Sequence, residues 1–253
     1  MFAAIAVISD IHSNKNALEA VLRDADGRNI DLIVNLGDSL FGPVDPLGTA
    51  RLLMQRDNIV NIMGNCDELL LQDVYQSLTF NYVKPLLQTV HEDWIKDHKY
   101  SWSYSSLLFC HGTPWNNSRY LLEQIAPSGD VIYKRIEQLT EELQSINQQI
   151  IFCGHSHVYH SMSLPEGKLV VNPGSVGLPA YQDEEPFPHT MESGTPYASY
   201  CICRRDLIEE ESWNIEHILV KYDWNEAAAQ AEQNGRLDYA HPIRTGKVAP
   251  NSP

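Results

Sequence analysis

The first 67 residues alternate apolar runs with amphipathic ones, and each apolar run breaks off at Asp, Asn or His. Residues 3–9 are almost wholly apolar, as expected of a strand covered on both faces. Residues 16–28 carry Ala17, Leu18, Val21, Leu22 and Ala25 at helical spacing. A second strand is predicted over 31–36. Pro46 then opens a helix with Leu47, Ala50, Leu53 and Met54 on one face, and 58–63 reads as a third strand. The order βαβαβ requires a mainly parallel sheet with covering helices, so the chain is α/β.

Further along, residues 68–99 read as largely helical with a break at Pro85, anchored by Trp94 and Leu86-Leu87. Strands are predicted over 106–110, 149–153, 168–172, 197–204 and 215–222, and helices near 118–125, 131–146 and 225–233. Residues 179–196, rich in Pro, Gly and acids, read as a long loop, and 246–253 as a disordered tail. The organisation expected is one domain over 1–222 with a helical insertion at about 68–104, then a C-terminal helix and tail over 223–253. No run approaches the ~20 apolar residues of a membrane span, and residues 2–8 lack the basic flank of a signal peptide. Five cysteines, an odd number, suit reduced thiols and a cytoplasmic location. Cys201 and Cys203 read as same-side residues of a strand. A formal charge of −15 argues against a nucleic-acid partner, which calls for a basic face.

The strand ends hold the chemistry. They read Asp10-Ile11-His12, Gly37-Asp38, Gly64-Asn65-Cys66-Asp67, His111-Gly112 and Gly154-His155-Ser156-His157. Open α/β sheets bind ligands beyond the carboxyl ends of their strands, so five such ends point to one site. Gly-His-x-His alone is expected by chance only about 0.02 times in a chain of this composition. Imidazole, carboxylate and amide donors suit Mn, Fe, Zn, Co or Ni. Seven donors are too many for one catalytic ion with open positions, but they fit two ions about 3.5–4 Å apart that share a carboxylate.

This ordered set resembles the calcineurin-like metallophosphoesterase superfamily over about residues 1–222. Gly64-Asn65-Cys66-Asp67 and Asn172-Pro173-Gly174-Ser175 are similar to its small prokaryotic phosphodiesterase branch. The resemblance implies a four-layer α-β-β-α sandwich of two mixed sheets flanked by helices. It implies that Asp10, His12 and His157 hold one ion, that Asn65, His111 and His155 hold the other, and that Asp38 bridges them, with manganese as the first expectation. Water activated by the two ions would attack phosphorus in line. Asp38, Asn65, Cys66 and Asp67 would form the catalytic set. Asn14 would donate to a phosphate oxygen, a role compatible with capping the first helix. Many members place His where Cys66 stands, and a thiol is the weaker proton donor. The implied activity is hydrolysis of small or nucleotide-like phosphodiesters. The alternatives are a phosphomonoesterase or protein phosphatase, and a non-catalytic interaction scaffold on the same fold. His91, His98 and His160 are expected on the surface, and His189 in the acidic loop is a candidate substitute acid. Segments 68–104 and 179–196 are expected at the mouth of the site.

Overall fold

Every residue of β1 (Ala4–Ile8) is buried because the strand has neighbours on both sides and layers above and below. It pairs in parallel with β2 (Leu32–Asn35) and antiparallel with β13 (Ala198–Arg205). β3 (Ile59–Asn61) extends the parallel side and β14 (Trp213–Val220) the antiparallel side. The computed structural model describes residues 2–206 and 212–250.

α1 (Lys15–Asp26) carries the chain from β1 to β2, and α2 (Pro46–Met54) carries it from β2 to β3. The apolar stripe foreseen on α1 is its buried face. It packs on the outer side of the first sheet beside α7 (Trp224–Gln233) and α8 (Leu237–Thr245). Ala227, Ala228 and Ala231 let α7 approach closely.

The second sheet has the order β4 (Ser101–Tyr104), β5 (Leu107–Cys110), β8 (Ile150–Phe152), β10 (Leu169–Asn172) and β9 (His160–Ser163), with the middle three parallel. Alternation assigns its two faces. Phe109, Phe152 and Val171 face Ile5, Val7 and Val34 of the first sheet. The Phe109 and Phe152 rings stack with centroids 5.3 Å apart. Leu108, Ile151 and Val170 face outward onto Leu139 of α6 (Ile136–Glu142). The result is the four-layer α-β-β-α sandwich.

Between β3 and β4 lie α3 (Asn65–Leu70), α4 (Leu78–Val83) and α5 (Thr89–Lys96), with a 3₁₀ turn at Pro85. Leu70, Phe80, Val83 and Ile95 form a satellite core around Leu40 and Phe41.

Several stretches differ from the sequence expectations. Residues 118–133 hold a hairpin instead of helices, β6 (Glu123–Ile125) with β7 (Val131–Tyr133), and α6 is only seven residues long. The hairpin turns at Ser128-Gly129, where Gly129 has φ +87°, and β7 is β-branched and aromatic. The segment expected to be a loop also contains a hairpin, β11 (Ala180–Asp183) with β12 (His189–Glu192). β9 and α8 had no clear sequence signal. Residues 246–250 of the expected disordered tail are placed: the Gly246 carbonyl accepts from the Gly194 N–H, and the Val248 N–H donates to Glu192. Residues 251–253 of that tail lie outside the described residues. No helix among the described residues is long and apolar enough to cross a membrane.

Candidate metal centre

The five strand ends converge on one buried cluster. Asp10, His12 and His157 form one group of donor atoms, and Asp38, His111 and His155 form a second. Asp38 Oδ2 lies between them, 3.8 Å from His12 Nε2 and 3.4 Å from His111 Nε2. Asn65, at the start of α3, turns its Oδ1 to within 3.0 Å of His111 Nε2. All seven residues expected to hold metal are thus brought together.

The backbone accepts strain to aim them. Nine non-glycine residues among those described have positive φ, and Asp10, His12, Asp38, His155 and His157 are five of them. Left-handed conformations cost such residues free energy, and strain of this kind concentrates at functional sites. Gly64 is required by close approach, since a Cβ there would lie 2.1 Å from Asp38 Oδ1.

Hydrogen bonding then fixes the tautomers. His12 Nδ1 faces the Phe41 carbonyl at 2.7 Å, His157 Nδ1 the Leu178 carbonyl at 2.6 Å, and His111 Nδ1 the Leu36 carbonyl at 2.9 Å. A carbonyl can only accept, so each Nδ1 carries hydrogen and each neutral ring turns an Nε2 lone pair inward. His12 Nε2 and His157 Nε2 are 3.1 Å apart, and His111 Nε2 points at two acceptor oxygens. Asp10 Oδ1 is buried without a hydrogen-bond partner. Lone pairs converging in this way need a cation between them. The residues therefore fit a pair of divalent metal ions.

The titration behaviour has the same origin. Burial alone would raise the Asp38 and Asp10 carboxyls, but the imidazoles beside them, His111 for Asp38 and His157 for Asp10, hold both below the usual carboxylate range. Burial, reinforced by His111, pushes His155 down to about 3, and burial likewise lowers His12. Burial opposes protonation of His111 too, yet Asp38 raises it to about 9. The negative field that would hold a proton on His111 is the field that favours a metal ion there.

Other expected residues take different parts. Asp67 accepts the N–H groups of Asp38, Ser39 and Gly64, so both its oxygens hold backbone. The Cys66 N–H donates to Asp38 Oδ1, and burial and that carboxylate push the thiol well above its ordinary pKa. Asn14 Oδ1 accepts from the Ala17 N–H as the α1 cap, while Nδ2 donates to the Gly177 carbonyl and to Tyr222. Its two amide hydrogens are therefore spent within the fold, and phosphate binding is replaced by capping and bracing. His98, expected on the surface, is buried against the edge of Trp94, and desolvation lowers it to about 4. His160 stacks on Tyr133, and His91 accepts from the Gln88 N–H.

Sequence reasoning missed the aromatic wall. The Tyr120 ring stacks on His155 with centroids 4.6 Å apart, and Tyr181 tilts against His157 at 4.4 Å. Tyr181 contacts the His155 carbonyl through its hydroxyl, and His189 Nε2 lies 2.9 Å from the Tyr120 hydroxyl. His189 is thus buried in this wall. The Asn172–Ser175 run also gains a physical role. Asn172 donates to the Gly154 carbonyl and Ser156, and Ser175 bonds the Asp10 carbonyl and the Leu178 N–H.

Comparison with known proteins decides the family. Residues 4–191 match the model of the calcineurin-like phosphoesterase superfamily domain. The chain belongs to that superfamily. It is 28% identical to an uncharacterized protein of Methanocaldococcus jannaschii, over 91% of this chain and 92% of that one. In fold it is similar to a metallophosphoesterase from Sphaerobacter thermophilus, with a TM-score of 0.75, 21% identity, and 97% of this chain and 100% of that one covered. It is also similar to a hypothetical protein from Pyrococcus horikoshii, with a TM-score of 0.69, 16% identity, and 97% and 99% covered. A calcineurin-like phosphoesterase with candidate ligand groups for two metal ions is a phosphoester hydrolase by family.

Proposed function

We propose that this calcineurin-like phosphoesterase is a phosphodiesterase of small or nucleotide-like phosphoesters, using two divalent transition-metal ions, manganese first. The observation that carries this reading is Asp38 Oδ2 placed between two donor groups in which the lone pairs of His12, His111 and His157 turn inward. Asp10, His12 and His157 would hold one ion, Asn65, His111 and His155 the other, and Asp38 both. The chemistry supplied by two bound cations is Lewis acidity, which acidifies water toward neutral pH and neutralises charge on phosphoryl oxygens. The chain itself supplies orientation. Carbonyls of Leu36, Phe41 and Leu178 fix the ring tautomers, and Tyr120 and Tyr181 shield His155 and His157 from water on one side. Cys66, a neutral thiol beside Asp38, donates weakly to a leaving oxygen, which favours esters whose leaving groups need little protonation.

Residues 1–222 form the catalytic domain in this reading, with α7 and α8 as braces, and five free cysteines support a reducing, cytoplasmic setting. The test compares bis(4-nitrophenyl) phosphate with 4-nitrophenyl phosphate on protein loaded in turn with Mn, Co, Ni, Zn and Mg. Faster turnover of the diester, greatest with manganese, is expected. Faster turnover of the monoester would make the chain a phosphomonoesterase, and hydrolysis of neither would leave an interaction scaffold.

A further inference from the structure

Beside the metal centre opens a cleft of about 960 Å³ that Asn65 and His155 share with it. Arg119 is the one cation lining it. The position of Arg119 is tightly set. A Cβ on Gly112, the residue after His111, would lie 2.6 Å from the Arg119 carbonyl, so the loop carrying Arg119 rests directly on that strand end. The next residue, Tyr120, stacks on His155. Arg119 is thus held next to two candidate metal ligands by backbone contact and by its neighbour's ring.

The charges around it differ in how they are engaged. Glu68 accepts from Asn117, Glu123 from Ser156, and Asp183 from the N–H groups of Glu184 and Glu185. Glu185 is the fourth acid of the cleft and is exposed at the rim. Arg119 is exposed and, among the described residues, makes no side-chain hydrogen bond or ion pair. In a chain of net charge −15, a guanidinium left open at the mouth of a phosphoester site is spare binding capacity for an oxyanion.

We propose that Arg119 is a specificity residue that binds a second oxyanionic group on the substrate, beyond the phosphoryl group that reacts. The proposal rests on the phosphoesterase reading above and narrows its substrate class to esters carrying a further carboxylate or phosphate. The acids around the cleft restrict where that second charge can settle, so both the fork geometry and the spacing matter.

The experiment titrates manganese-loaded protein calorimetrically with hydrolysis-inert alkylphosphonates of two to six carbons. They end in methyl, in carboxylate, or in a second phosphonate. At one or more lengths a charged end is expected to bind about tenfold or more tighter than its methyl counterpart, the range for a charge-assisted hydrogen bond. The better terminus tells carboxylate from phosphate. Arg119→Ala removes the advantage, and Arg119→Lys keeps part of it, because a point charge replaces the fork. No advantage at any length, or an advantage that survives Arg119→Ala, overturns the proposal. Hydrolysis of bis(4-nitrophenyl) phosphate is measured in parallel. Hydrolysis without the advantage removes the Arg119 subsite alone, whereas absent hydrolysis removes the phosphoesterase reading itself.

Discussion

Three of the four histidines in the cluster are committed by what lies behind them. The Leu36, Phe41 and Leu178 carbonyls take the Nδ1 hydrogens and leave three Nε2 atoms pointing into a space where water would have to donate to all of them. That arrangement explains why the ligand types could be read from sequence while their orientation could not. Asp-x-His and Gly-His-x-His name the donors, but the carbonyls that fix the tautomers belong to residues with no side-chain signature. Asn14 and Asp67 show the converse, since their residue types suggested chemistry and their partners turned out to be backbone groups, with the Tyr222 hydroxyl beside Asn14. Cys66 is testable at this scale. Cys66→His should raise turnover of alkyl phosphodiesters, whose leaving groups need a proton, several-fold more than turnover of nitrophenyl esters. Equal changes for the two would remove the thiol from the account of leaving-group preference.

Loops and hairpins between the strands do the aiming. Asp67 at the start of α3 gathers three N–H groups from the Asp38 and Gly64 loops, although burial and Asp38 raise its pKa to about 6. Asp67→Ala would leave those donors buried without partners, and the expected cost is about 3 kcal/mol, read by urea unfolding. A loss under about 1 kcal/mol would show that the loops hold themselves. The parallel strands were legible because a doubly covered strand is apolar along its length. The β6–β7 and β11–β12 hairpins were not, because short strands of mixed polarity at the periphery carry little periodic signal. Those two hairpins and the residues just before them supply Tyr120, Tyr181 and His189, which is why the aromatic wall escaped sequence reasoning.

The whole molecule is acidic, and its stability should respond to pH through a buried carboxyl that is not itself one of the seven donors. Glu123 is 3% exposed and takes a 2.7 Å hydrogen bond from Ser156. Desolvation raises its pKa from 4.5 to about 7. Between those values the folded chain keeps a proton that the unfolded chain has lost, so this group's contribution is fully present below pH 4.5 and is lost as pH rises toward 7. Glu123→Gln should therefore be more stable than the parent at pH 8, by up to about 3 kcal/mol, and no more stable at pH 4.5. A gain that is the same at both pH values would contradict the burial argument. The −15 charge sits alongside a centre that gathers cations, so the acids that lower the chain's average potential and the ions expected at Asp10 and Asp38 act in opposite directions on an incoming phosphate. Seven donors from five strand ends are expected to hold two metal ions through Asp38. The most direct test is the metal stoichiometry of manganese-reconstituted protein, by elemental analysis and calorimetry, for the parent and Asp38→Asn. Two equivalents are expected in the parent and at most one tightly held in Asp38→Asn, with a loss of bis(4-nitrophenyl) phosphate hydrolysis of at least about a hundredfold. Fewer than two equivalents in an active parent, or two retained by Asp38→Asn with full activity, would contradict a two-ion centre bridged by Asp38.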